Sequence, residues 1–108
     1  MSGRFGEADT DSVRMTDSIV RKMVSCGERC QMIRFELQKG GEIPPHAHPH
    51  EQIGYLAKGK LLLRIGEEEF ELVEGEGYAV EPNVEHSVKI LEDSIAIDVF
   101  APPREEYR

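Results

Sequence analysis

The sequence is divided into short apolar segments, rich in Val, Ile, Leu and Phe, that glycine, proline and asparagine separate at close intervals. No segment has the length and periodicity of an amphipathic helix. Short strands with glycine-containing turns are typical of sandwiches and barrels. The pattern predicts an all-β protein with strands near 18–25, 30–38, 51–57, 60–66, 68–73, 78–81, 86–92 and 94–100.

The turn residues predict how some of these strands connect. Lys58-Gly59 and Gly66-Glu67 are tight hairpin signals of the glycine-containing kind. Cys26 and Cys30 bracket another predicted hairpin turn, and in a cytosolic chain both thiols are expected to be reduced.

Length and charge limit the classes of function. A chain of 108 residues forms one domain, which we place at residues 17–108, after a polar, flexible arm at 1–16. A net charge of −8 with scattered basic residues argues against nucleic acid or anionic membrane as partner and leaves a small molecule. An anionic small molecule would need a basic residue in its binding pocket. The sequence shows neither a membrane span nor a secretory signal, so a cytoplasmic protein is expected.

The last predicted strand, "SIAIDVF", is apolar on both faces. Ile95, Ile97 and Val99 alternate with Ala96 and Phe100, and Asp98 interrupts the second set. Such a strand needs a barrel interior on one side and a second apolar surface on the other. This predicts a homodimer, with sheet-on-sheet packing inside one chain as the alternative.

The segment "PPHAHPHEQ" concentrates metal-ligating side chains. In an extended strand His46 and His48 point to the same side, and the neighbouring prolines restrict the backbone. Two imidazoles so placed can bind one metal ion, whereas the alternative is a polar surface strand. Gln52, and His86, which lies 40 residues after His46, strengthen the metal interpretation.

These residues resemble the first motif of the cupins, in which a glycine precedes H-x-H, a glutamate follows and a second glycine ends the motif. Gly40, His46, His48, Gln52 and Gly59 fall on this frame, with glutamine at the glutamate position. The second motif is matched by Gly75 and His86, whereas Glu81, Asn83 and Ile90 replace its proline, glycine and asparagine.

The resemblance implies a double-stranded β-helix, or jelly-roll barrel, from about residue 18 to the end of the chain. It also implies one divalent transition metal ion (Ni, Zn, Mn, Fe or Co) held by His46, His48, Gln52 and His86. His50 lies outside the motif, and we expect it to support the ligands or to line the pocket rim. A neutral glutamine leaves the ion its full double charge, which favours Lewis-acid chemistry over oxygenase chemistry.

Two residues near the C-terminus are candidates for proton transfer and substrate binding beside the metal. Asp98, on an inward and otherwise apolar face, is expected to have a raised pKa and to carry a proton, with a structural carboxylate as the alternative. Arg104 follows two prolines and can bind a substrate carboxylate through two hydrogen bonds. Its alternative is a surface ion pair with Glu105 or Glu106.

The segments "HAHPHEQIGY" and "DVFAPPREEY" together resemble a narrower group, the pectin-degradation cupins that open 4,5-unsaturated uronates to their linear keto form. The resemblance implies catalytic roles for Asp98, Phe100 and Arg104. It predicts an isomerase acting on a small carbonyl or sugar-acid substrate. Two alternatives stay open: a non-catalytic metal- or sugar-binding or sensing module, and a cupin-type dioxygenase.

Overall fold

The computed structural model describes residues 3–6 and 10–108, which form two antiparallel sheets around one core. The strands are β1 Ser12–Thr16, β2 Ile19–Cys26, β3 Gln31–Leu37, β4 Glu42–His46, β5 Glu51–Lys58, β6 Lys60–Ile65, β7 Glu68–Val73, β8 Gly77–Val80, β9 His86–Ile90 and β10 Ser94–Ala101, and a 3₁₀ turn at Glu105–Tyr107 follows. One sheet has the order β1-β2-β3-β10-β5-β8 and the other β4-β9-β6-β7. The predicted all-β jelly roll is confirmed.

The core lies between the two sheets because alternate residues of each strand point inward. Ile33, Leu56 and Phe100 are at most 1% exposed, and burial of each such side chain stabilises the fold by about 1.5–3 kcal/mol. Leu61 and Leu72 pack against them from the smaller sheet. Among the described residues, no helix has the length and apolar character that crossing a membrane requires.

The eight predicted strands all form, but the sequence pattern missed β1 and β4. Every residue of β1 is exposed, so the strand has no buried face and leaves no alternation in the sequence. Residues 12–16 pair with β2 and therefore do not belong to a flexible arm, contrary to the prediction. Residues 1, 2 and 7–9 of that arm lie outside the described residues. β4 contains two prolines, which normally argue against a strand, and it lies at a sheet edge where missing donors are tolerated.

The predicted turns have different outcomes. Gly66-Glu67 joins β6 to β7 as a hairpin, and the N–H of Gly27 donates to the carbonyl of Cys30, 2.8 Å away, in the turn between β2 and β3. Both cysteines are free thiols.

The hairpin predicted at Lys58-Gly59 is wrong. β5 pairs with β10 and β8, whereas β6 pairs with β7 and β9, so the chain crosses from one sheet to the other at Gly59. A single residue separates the two strands, which is too short for a hairpin. The hydroxyl of Ser94, which accepts from the N–H of Lys60 at 3.1 Å, braces this corner.

β10 has the two faces that the sequence predicts. Ala96, Asp98 and Phe100 are buried, whereas Ile97 and the other outward residues are partly exposed. Beside them on β5, Tyr55 is 50% exposed, so within the described part of the chain this outer surface is not fully covered. The homodimer stays a prediction.

The corner between the sheets generates a stability test. Gly59 and Gly75 both have positive φ, +100° and +91°, so alanine at either position is strained by about 1–2 kcal/mol. A Cβ at Gly59 would also lie 2.0 Å from the Ser94 hydroxyl oxygen, whereas one at Gly75 meets nothing within 4 Å. We expect Gly59→Ala to lower the free energy of unfolding by about 1–3 kcal/mol more than Gly75→Ala. Urea denaturation measures both, and equal losses would contradict this account of the corner.

Candidate metal centre

Three histidines converge at one end of the barrel. His46 ends β4 and is the register partner of His86, the first residue of β9. Their ring centroids lie 4.1 Å apart, and His48, two residues beyond the end of β4, places its ring centroid 4.9 Å from that of His86. One ligand atom from each lies within 4.8 Å of the others. The structure thus brings together the three predicted histidine ligands from two separate parts of the sequence.

Each imidazole is oriented by a backbone carbonyl. The Nδ1 atoms of His46, His48 and His86 lie 3.0, 3.0 and 2.9 Å from the carbonyl oxygens of residues 44, 50 and 84. Because a carbonyl oxygen only accepts, each Nδ1 carries the proton and each Nε2 keeps a free lone pair. Metal-ligating histidines are commonly oriented in this way.

Burial favours the neutral form of the His48 and His86 rings. His48 and His86 are 6% and 4% exposed, and desolvation lowers the pKa of both imidazoles. The Nε2 of His86 is buried without a hydrogen-bond partner. A buried lone pair with no donor can bind a cation, so the cluster suits a metal ion.

Gln52 provides a further sign that a cation belongs here. Its Nε2 donates to Oδ2 of Asp98 at 2.9 Å, so its Oε1 faces the Nε2 of His48 at 3.0 Å. Both facing atoms are acceptors, and the lowered pKa of His48 opposes a proton between them. A metal ion held by both residues would remove this repulsion. The donor set of three imidazoles and one amide oxygen therefore fits the predicted metal.

Asp98 lies on the far side of Gln52 from the histidines. It is 5% exposed, and burial raises its pKa to about 6 although hydrogen bonds from Tyr78 and Gln52 oppose this rise. The hydroxyl of Tyr78 donates to its Oδ1. Burial and the charge of Asp98 raise the pKa of Tyr78 well above its usual value, so the phenol stays protonated. The raised pKa predicted for Asp98 is confirmed.

Arg104 and Phe100 form another wall of the site. The guanidinium carbon of Arg104 lies 5.3 Å from the Phe100 ring centroid and 4.5 Å from that of Tyr107. Its Nε donates to Glu106, so the ion pair considered as the alternative does form, but only 16% of the Arg104 side chain is exposed. The Phe100 ring meets that of His48 edge to face, with centroids 5.8 Å apart. These contacts place both residues beside the cluster.

A cavity of about 230 Å³ joins these groups. Its lining includes His46, His86, Gln52, Asp98 and Arg104 and is otherwise mostly apolar. Such a cavity, with a few convergent polar groups, is typical of a small-molecule site.

The structure also clarifies residues that the motif left uncertain. Asn83, which stands where the second motif has glycine, adopts φ +66°, a conformation that asparagine tolerates better than most residues. Its N–H donates to the carbonyl of His48 at 2.8 Å. His50 orients His48 through its backbone carbonyl, and its own Nδ1 is buried without a partner.

Two residues beside Asp98, Tyr78 and Gly54, are not predicted from the sequence. An isolated glycine inside a predicted strand indicates that another group approaches the backbone closely, and Gly54 in "QIGYL" is such a glycine. Tyr78 had no such signal, because a tyrosine at the start of a strand is ordinary.

The comparisons with known proteins agree with this geometry. The model of the family described as "Cupin domain" matches residues 33–100. The pectin degradation protein KdgF of Dickeya dadantii is 32% identical over 105 residues, which cover 95% of this chain and 96% of that protein. The structure of KdgF from Halomonas sp. has a TM-score of 0.93 at 26% identity and full coverage of both chains. An RmlC-like cupin from Shewanella frigidimarina, 24% identical, also has a TM-score of 0.93, with 100% and 97% of the two chains covered.

The family match, the relative that spans almost the whole chain and the barrel with its histidine cluster lead to one conclusion. The chain belongs to the cupin family, and pectin degradation proteins are among its relatives.

Proposed function

We propose that this protein is a metal-dependent isomerase that opens a small sugar acid such as a 4,5-unsaturated uronate to its linear keto form. The observation that carries the proposal is the position of Gln52, whose amide oxygen faces the histidine cluster while its nitrogen donates to a buried carboxylate, Asp98. A relative is named as a pectin degradation protein, and pectin is a polymer of uronates, so its fragments are a fitting substrate class.

His46, His48, His86 and Gln52 would hold the metal. When bound, a divalent ion supplies Lewis-acid polarisation of a carbonyl or hydroxyl oxygen of the substrate. Because the four side chains are neutral, they do not reduce the charge of the ion. The hydrogen bond from Gln52 to Asp98 holds the amide oxygen toward the histidines.

Arg104 is the group that would bind the substrate carboxylate. Its guanidinium lies over two aromatic rings and lines the cavity, while Nε is engaged by Glu106. The two terminal nitrogens of the guanidinium are the donors left for an anion. The backbone of Arg104 is itself held, because its N–H donates to the Oε1 of the buried Gln31 at 3.0 Å.

Asp98 would move the proton. Ring opening converts the hydroxyl on the anomeric carbon to an aldehyde, breaks the ring C–O bond and turns the released enol oxygen into a ketone as the alkene carbon gains a proton. One proton leaves and one returns, so substrate and product are isomers and no oxidant is needed. A buried carboxylate with a pKa of about 6 is suited to accept and return a proton near neutral pH.

Phe100 would shape the site. It is 1% exposed and contacts both the His48 ring and the guanidinium of Arg104. Its ring therefore packs between His48 and Arg104 and helps to determine the shape of the cavity.

The direct test is incubation of the purified protein with unsaturated galacturonate. We expect loss of the ring enol-ether absorbance, abolished by a chelator and restored by a redox-silent divalent ion such as Zn²⁺. Activity that requires iron and oxygen would identify a dioxygenase instead. Metal binding without turnover of any unsaturated uronate would identify a binding or sensing module.

Exchange of Gln52 for glutamate tests the role of the neutral amide. The added charge weakens the Lewis acid, and the carboxylate cannot donate to Asp98 as the amide does. We expect Gln52→Glu to retain the metal and to lower kcat. Gln38→Glu adds the same charge at an exposed position and is the matched control. Higher turnover in Gln52→Glu, with metal content unchanged, would overturn this argument.

Substitutions of Asp98 and Arg104 should change different kinetic parameters. Asp98→Asn removes the proton carrier and should lower kcat by roughly 10²-fold or more. Arg104→Lys keeps the charge but loses the planar fork, so it should mainly raise KM for an anionic substrate. Arg34→Lys, in an outward ion pair with Glu36, is the control for the second change.

Metal content and folding must be measured on both variants. If Asp98→Asn loses the metal and unfolds, Asp98 is structural. If Arg104→Lys leaves KM unchanged for every uronate tried, the arginine does not bind the substrate carboxylate.

A further inference from the structure

We propose that Tyr78 is a further positioning residue, whose hydroxyl orients the Asp98 carboxylate for proton transfer. The tyrosine side chain occupies a space that exists because residue 54 is glycine. This inference rests on the proposed role of Asp98 in the reaction.

The strand register makes the contact possible. Gly54 on β5 is the register partner of Tyr78 on β8 and of Asp98 on β10. Tyr78 therefore reaches Asp98 across the strand that separates them. A Cβ at position 54 would lie 2.1 Å from Cζ of Tyr78 and 2.3 Å from Oδ1 of Asp98. Any side chain there would displace the contact, so the glycine and the tyrosine act as a unit.

Two donors are needed to define the orientation of this carboxylate. Rotation of an aspartate about its last carbon–carbon bond has only broad preferences. Gln52 donates to Oδ2 at 2.9 Å, and Tyr78 donates to Oδ1. With both bonds formed, the plane of the carboxylate is determined by β5 on one side and β8 on the other. Without Tyr78, one oxygen would be buried with no donor and free to turn away from the substrate.

The ring of Tyr78 has a separate role that the test must preserve. It lines the central cavity and also an outer groove bounded by Phe70, Glu76 and Ala79. The ring therefore lies between Asp98 and this groove. Tyr78→Phe keeps the ring and removes only the hydroxyl, whereas alanine would open the cavity as well.

The experiment compares the turnover of unsaturated galacturonate by wild type, Tyr78→Phe, Asp98→Asn and the double variant, all loaded with the same metal. We expect Tyr78→Phe to lower kcat about 10- to 100-fold, as for loss of a hydrogen bond to a charged group, with KM and metal content unchanged. Tyr55→Phe, on the outer surface, is the matched control and should behave like wild type.

The double variant separates positioning from general structural damage. If Tyr78 acts through Asp98, Tyr78→Phe should have no further effect once Asp98 is asparagine, whereas independent structural damage would multiply the two losses. A carbon-13 label at tyrosine Cζ gives a readout besides activity. The Tyr78 resonance, assigned by its loss in Tyr78→Phe, should shift in Asp98→Asn while that of Tyr55 does not.

The outcomes distinguish this inference from the proposed function. If Asp98→Asn is inactive but Tyr78→Phe keeps wild-type kcat, or if the two losses multiply, or if the Tyr78 resonance does not respond to Asp98→Asn, the positioning role is wrong and the proposed function stands. If wild type turns over no uronate, or Asp98→Asn is fully active, the proposed function fails and the role of Tyr78 fails with it.

Discussion

Buried polar groups inside a small barrel must satisfy one another, because an unpaired buried group costs about 1–3 kcal/mol. In this protein the requirement produces one continuous series of contacts. It runs from the carbonyl of His50 through His48, Gln52 and Asp98 to the hydroxyl of Tyr78. Each member determines the orientation of the next, so the histidine cluster and the buried carboxylate form one site rather than two.

This series explains why glutamine stands at the position where the cupin motif has glutamate. An amide has both an acceptor and a donor, so Gln52 can direct oxygen toward the histidines while its nitrogen donates to Asp98. A carboxylate has no donor and would place a second negative charge beside the first. The glutamine at position 52 is therefore complementary to Asp98 on β10, the strand that pairs with β5.

The arginine side of the cavity is held by hydrogen bonds of its own. The backbone of Arg104 is bonded to the buried Gln31, and the 3₁₀ turn that follows is tied down where Arg21 donates to the carbonyl of Glu106 at 3.1 Å. The Tyr107 ring contacts both guanidinium groups. Substrate anchoring and proton transfer would thus depend on separate supports, which lets one be changed while the other persists.

The sequence by itself determined the fold class and eight of the ten strands that the described residues form, because alternation and turn residues are local properties of the chain. The resemblance of its motifs to those of the cupins implied the convergence of His46, His48 and His86. The sequence did not determine β1, whose residues are all exposed, or the sheet crossing at Gly59, because a glycine turn looks the same in a hairpin and at a corner. Only the tertiary structure decided that Tyr78 reaches Asp98 over Gly54. That contact joins three strands, and it depends on a register that hydrogen bonding between distant segments sets.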